Sequence, residues 1–222
     1  MTQQETIHTI KSYFEKIQAS FDVAIAYLDA EDIQAFRIEV KKLWAFLHLV
    51  SNGAKVKPPR RLHVFYRMVG VIRNLQLQEQ RIRGAFLYQS CIPQTYLNLL
   101  AIETAAAIRC ARKFAADRLS IPVEERQLLN SLSDNHHPID DDALHSPGKE
   151  SVTALTDLLG QFQDLRSGLV FLQPIYIDQI VDAGEKKMLE TIRALWEKDK
   201  AAIKNQVLST LLTIPHPPEY AL

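Results

Sequence analysis

The 222-residue chain predicts an all-α fold, and three observations carry that prediction. Apolar residues recur at steps of three and four over long stretches, the spacing that gathers them on one face of a helix. Ala, Leu, Gln, Glu and Lys, which lose little freedom in a helix, fill those stretches, while glycine occurs only seven times. Pro58, Pro59, Pro93 and Pro122 open or interrupt the periodic stretches, where a missing N–H and a fixed φ do least harm. With 47% hydrophobic residues the chain can bury a substantial core, as one large domain over 1–222 or as two halves of roughly 100 residues each.

The stretch from Ile33 to Val50 anchors the pattern. Ile33, Phe36, Val40, Leu43, Leu47 and Val50 form its apolar seam, and a polar, mostly cationic stripe runs beside it through Gln34, Arg37, Lys41 and His48, with Lys42 one turn position away. A helix is expected before it, from Gln3 to Leu28, with Ile7, Ile10, Phe14, Ile17, Phe21, Ile25 and Leu28 as its seam. Asp29, Glu31 and Asp32 then suit a helix start, where the macrodipole favours negative charge. Ser51, Asn52 and Gly53 end the second helix, and Pro58 and Pro59 open a third from Arg60 to about Tyr88. Inside it Gly70 costs about 1 kcal/mol relative to alanine, which predicts close approach of another backbone. Further helices are expected over Leu97–Leu119, from Pro122 to Leu132, over Glu150–Leu172, over Ile175–Ala183 and over Gly184–Leu212. The polar segment 133–147 is expected to be an exposed loop, and the proline-rich tail from Ile214 to be extended.

Charge is balanced in sum, 26 Lys and Arg against 26 Asp and Glu, and divided in place. Residues 1–118 carry 17 cations against 10 acids, and residues 119–222 carry 9 against 16. The excess peaks between 51 and 100, where Lys55, Lys57, Arg60, Arg61, Arg67, Arg73, Arg81 and Arg83 meet Glu79 alone. A one-signed field of this kind attracts a polyanion or an acidic partner. Cys91 and Cys110 read as small apolar residues rather than a disulfide or metal cage. His136, His137, Asp140, Asp141, Asp142 and His145 are ligand types without a repeating spacing, so no metal is expected there. Nothing assembles a nucleophile–base pair, a phosphate-cradling glycine loop or paired catalytic carboxylates, so no enzyme activity and no cofactor are expected. No apolar run approaches the roughly 20 residues of a membrane span, and the expected location is the cytoplasm.

Residues 68–78, MVGVIRNLQLQ, echo residues 158–168, LLGQFQDLRSG, in the order of apolar pair, glycine, apolar position and polar pair. With the basic helix at Ile33–Val50, this echo makes the chain resemble the CHAD domain, a histidine-containing α-helical family built from two related helical bundles. Gln34, Arg37, Lys41 and Lys42 stand where that family's first signature has His-x-x-Arg-x-x-x-Arg-Arg, with Gln34 replacing the histidine. Gly70, Arg73, Asn74 and Leu75 stand at its Gly-x-x-Arg-Asp-Leu, echoed by Gly160, Gln163, Asp164 and Leu165. Asn74 and Gln163 depart from the pattern, and the family's second basic helix has no counterpart between Leu119 and Leu158.

The resemblance implies two pseudo-symmetric antiparallel bundles, a basic one over 1–118 and an acidic, degenerate one over 119–222, with a basic groove between them. It implies non-catalytic binding of inorganic polyphosphate by Gln34, Arg37, Lys41, Lys42 and Arg73, extended by Arg60, His63 and Arg67. Arginine can give two parallel hydrogen bonds to phosphate oxygens, and Gln34 can still donate one. The alternative is a helical interaction module that has lost this ligand and meets an acidic partner or another copy of itself. Nucleic acid is not the expected partner, because the basic helices lack a base-reading motif and a stacking platform.

Overall fold

The computed structural model describes residues 2–50, 58–86, 92–133 and 149–213. These form eight helices, α1 (Gln3–Tyr27), α2 (Ala30–Val50), α3 (Arg60–Ala85), α4 (Gln94–Arg118), α5 (Ile121–Ser133), α6 (Lys149–Phe171), α7 (Pro174–Ile177) and α8 (Ala183–Thr213), with no strand among the described residues.

The expected helix starts are met by side chains that satisfy free backbone N–H groups. Thr2 Oγ1 accepts from the Glu5 N–H at 3.3 Å while Glu5 Oε2 accepts from the Thr2 N–H at 2.7 Å, a reciprocal cap on α1. Leu28 ends α1 in the left-handed region, φ 54° and ψ 35°, and its N–H donates to the Ala24 carbonyl at 2.8 Å. A leucine there costs roughly 1–2 kcal/mol, offset by complete burial of its side chain. Asp29 Oδ1 then accepts from the N–H groups of Asp32 (2.8 Å) and Glu31 (3.0 Å), so the turn between α1 and α2 needs no longer connection.

The Asp32 backbone N–H is the main cause that holds the Asp29 carboxyl below its ordinary range. A carboxyl lowered in the folded state stabilises above its unfolded value, about 3.9, and that contribution is lost as the pH falls through the lowered folded value. Asp29→Ala is therefore expected to cost about 1 kcal/mol at neutral pH. Denaturant titrations of both proteins should converge as the pH falls through the lowered folded value of Asp29, and a constant gap would refute the cap.

Two compact units make up the chain. The first comprises Met1–Glu79 with Leu99–Ala143, and the second Gln80–Asn98 with Leu144–Leu222. The expected halves meet at Arg118/Leu119, a point that falls inside the first unit. The reason is packing: α5 lies against α1, and its Ile121 and Leu128 join the same core as Ile10, Phe14 and Leu47.

In the first unit Ile33, Phe36, Val40, Leu43 and Leu47 are buried as their spacing predicts, while Val50 is half-buried. They meet Ile10, Phe14, Ile17 and Leu28 of the α1 end and Leu62, Phe65, Val69 and Ile72 of α3. Phe21, Phe36 and Phe65 form a three-ring centre with centroids 5.2, 5.5 and 6.1 Å apart, two of the three contacts edge-on.

In the second unit α6 packs on α8; Leu169, Leu172, Leu189, Ile192 and Trp196 are buried, as are Ile82, Phe86, Tyr96 and Leu97. The Tyr96 hydroxyl donates to the Phe171 carbonyl at 2.8 Å. Where a helix was expected over 175–183 there is only the single turn α7. The chain turns after it because the Asp182 carboxylate accepts from the Glu185 N–H at 2.7 Å and starts α8 at Ala183.

Candidate anion-binding site

Arg37, of the cationic stripe of α2, reaches across to α3. Arg37 Nη1 donates to the Tyr66 carbonyl at 3.1 Å, and its guanidinium lies 4.2 Å from the centre of the Tyr66 ring. Gly70, one turn beyond Tyr66, supplies the room: a Cβ there would overlap Arg37 Nη1 and lie 3.1 Å from Cζ. What approaches Gly70 is thus a side chain, where the sequence had predicted a backbone. The reason is that the long Arg37 side chain reaches from α2 to the Tyr66 carbonyl and occupies the space above Gly70.

Arg73 lies close enough for its charge to act on Arg37. Burial is the main cause that lowers the Arg37 pKa; Tyr66 opposes it, and the like charge of Arg73 lowers it further. Arg73 is half-buried, and its Nε is buried with no hydrogen-bond partner among the described residues. The stack continues through Trp44, whose ring centroid is 4.6 Å from that of Tyr66 and 5.3 Å from that of His63. Trp44 Nε1 and His63 Nδ1 are also buried without a partner among the described residues. Such orphan groups normally find an acceptor, which a bound anion or water would supply.

The remaining expected site residues divide. Gln34 is half-buried on α2, and Lys41 and Arg67 are exposed. Lys42 is exposed and gives its charge to Glu39 at 2.6 Å, which leaves it less to offer a ligand. Arg60 stands 13 residues before Arg73, about 20 Å along α3. It belongs instead to a cleft of about 690 Å³, whose lining includes Arg61, Val64, Phe114, Asp117 and Arg118.

Trp44 and Tyr66 were not singled out in the sequence. Their signal was positional, since Trp44 follows Lys41 by three residues and Tyr66 precedes Gly70 by four.

Cys110 is exposed on α4 rather than packed, while Cys91, Lys55, Lys57 and the His136–His145 segment lie outside the described residues. No group of three metal-ligating side chains occurs among the described residues, and no helix among them is long and apolar enough to cross a membrane. No family model matches this chain, and no curated protein or solved structure matches it either.

The seat of Arg37 makes a double-mutant cycle decisive. Gly70→Ala gains up to about 1 kcal/mol in helix propensity but expels the guanidinium, and a charged hydrogen bond is worth roughly 1.5–3 kcal/mol. In the otherwise unchanged protein the substitution should destabilise by about 1 kcal/mol. With Arg37→Ala already present it should stabilise by about 1 kcal/mol, because nothing is left to expel. The same sign in both backgrounds, measured by chemical denaturation, would show that Arg37 does not occupy the glycine's space.

Proposed function

We propose that the protein binds inorganic polyphosphate, or a polyanion of similar charge spacing, along the cationic face of α2 and α3, without catalysis. One observation carries this reading: Arg37 and Arg73, from two helices, are held near each other with no carboxylate bonded to either among the described residues. Two like charges kept together are disfavoured unless an anion joins them. In this reading Arg37 is the positioned inner contact, Arg73 and Lys41 flank it, Gln34 and His63 add hydrogen bonds, and Arg67 and Lys42 lie at the margin.

The reading includes two related bundles, in which Gly160, Gln163 and Asp164 are the second half's degenerate counterpart of Gly70, Arg73 and Asn74. The degenerate character of that half is supported by Gly160, which is exposed and has no atom of a described residue within 4 Å of a Cβ placed there. Asp164 is moreover neutralised by Arg81, which donates to its carbonyl at 2.7 Å and pairs with its carboxylate at 3.3 Å.

A second reading, a helical module that binds a protein partner, draws on exposed apolar residues of the second unit. Val181 is 95% and Ile175 68% exposed, and Leu195 and Leu208 of α8 are about half exposed.

The test is titration with long-chain polyphosphate at two salt concentrations, beside a Lys41→Ala/Arg73→Ala variant and an RNA control. Binding should weaken with salt, exceed RNA binding, and fall more than about tenfold in the variant, with a shallower salt dependence by about one per lost contact. If the protein ignores polyphosphate yet self-associates or captures an acidic protein, the second reading takes its place.

A further inference from the structure

At the N-terminal end of α3 lies the cleft already described, of about 690 Å³ and within the range of small-molecule sites. Its lining has two characters. Arg60 and Arg61 of α3 and Arg118 of α4 supply three guanidiniums, and Phe114, Val64 and Leu119 supply an apolar wall with one aromatic ring. Asp117 and Ser120 add a carboxylate and a hydroxyl. Among the described residues no acidic side chain is bonded to the guanidinium of Arg60, Arg61 or Arg118. Glu124, 1% exposed, accepts through Oε2 from the backbone N–H of Arg61 at 3.3 Å and so caps α3, while its Oε1 is buried with no hydrogen-bond partner among the described residues. The helix end is therefore filled, and any attraction for an anion comes from the side chains.

From this juxtaposition we infer that the cleft binds a nucleoside phosphate. Guanidiniums in a fork match phosphate oxygens two at a time, an aromatic ring gives a base a face to stack on, and a carboxylate accepts from a sugar hydroxyl. An inorganic polyanion would use the arginines and leave the apolar wall and Asp117 idle. A purely apolar ligand would leave three charges facing it. A phosphate joined to a planar ring and a hydroxylated sugar uses every part of the lining. None of the residues named in this lining belongs to the Arg37–Arg73 face, although His63 of that face lies within about one turn of Arg60, and the inference does not depend on polyphosphate binding there.

Calorimetric titration of the full chain with ADP, adenosine and pyrophosphate, each without divalent metal, tests the inference. Saturable ADP binding is expected, with adenosine and pyrophosphate each at least about tenfold weaker. Arg61→Gln and Arg118→Gln should each weaken ADP by about tenfold at unchanged thermal stability, whereas Lys204→Gln, an exposed charge of α8, should not. Both arginine side chains are exposed, and Arg61→Gln keeps the N–H that Glu124 binds, so these variants should remain folded. Pyrophosphate binding as tight as ADP would overturn the inference, since the apolar wall would then contribute nothing. So would the absence of saturable ADP binding, or binding that both arginine variants leave intact.

Discussion

Phe36→Ala is expected to destabilise the first unit by about 3–5 kcal/mol, the largest effect of any single change considered. Phe36 is fully buried and touches both other rings of the Phe21–Phe36–Phe65 centre, so its removal opens a cavity whose walls come from three helices. Those helices cannot close on it without losing the seams that hold them, because each seam continues into Ile10 and Phe14, Val40 and Leu43, or Val69 and Ile72. The two tryptophans report the units separately, Trp44 in the first and Trp196 in the second. In a Trp196→Phe background the fluorescence of Trp44 should show the denaturant midpoint of the Phe36→Ala variant displaced downward. A loss below about 1.5 kcal/mol would mean that the ring centre repacks freely.

The second large effect is expected from Glu185→Ala, in the other unit. Glu185 is 9% exposed, and its carboxylate accepts from the Thr95 N–H at 3.1 Å on both oxygens and from the Thr95 hydroxyl at 3.2 Å. It thereby caps the start of α4 with a side chain from α8, across 90 residues of sequence. Alanine leaves those donors without their acceptor, at a cost of about 2 kcal/mol, and glutamine should recover roughly half of it. With Trp44→Phe present, Trp196 should report the loss. Equal stability of the alanine and glutamine variants would place the cost in packing and not in the hydrogen bonds.

The candidate site was partly legible. Arg37, Gly70 and Arg73 were singled out by residue type and spacing, and the structure brings these three together. Lys42 looked equivalent to Arg37 because both lie on the basic part of α2, yet it turns to Glu39, three residues away, where a local ion pair is available. Arg60 looked like an extension of the same surface, but 13 residues at about 1.5 Å each place it about 20 Å from Arg73, at the start of α3. Arg118 was not anticipated at all. Its place with Arg60 and Arg61 in one lining joins helix ends 58 residues apart, and no periodicity carries that information.

The helices themselves were determined by the sequence. Steps of three and four, capping residues such as Thr2 and Asp29, and the placement of proline act within a turn or two, so they are written locally. The seam of α2 was fixed in the same way, residue for residue from Ile33 to Leu47. Tertiary structure alone decided how the chain divides, which helix Glu185 caps and what fills the space above Gly70. Each of those depends on groups far apart in sequence whose contact is set by the packing of whole helix faces, and a face can be read from a periodic pattern while its partner cannot.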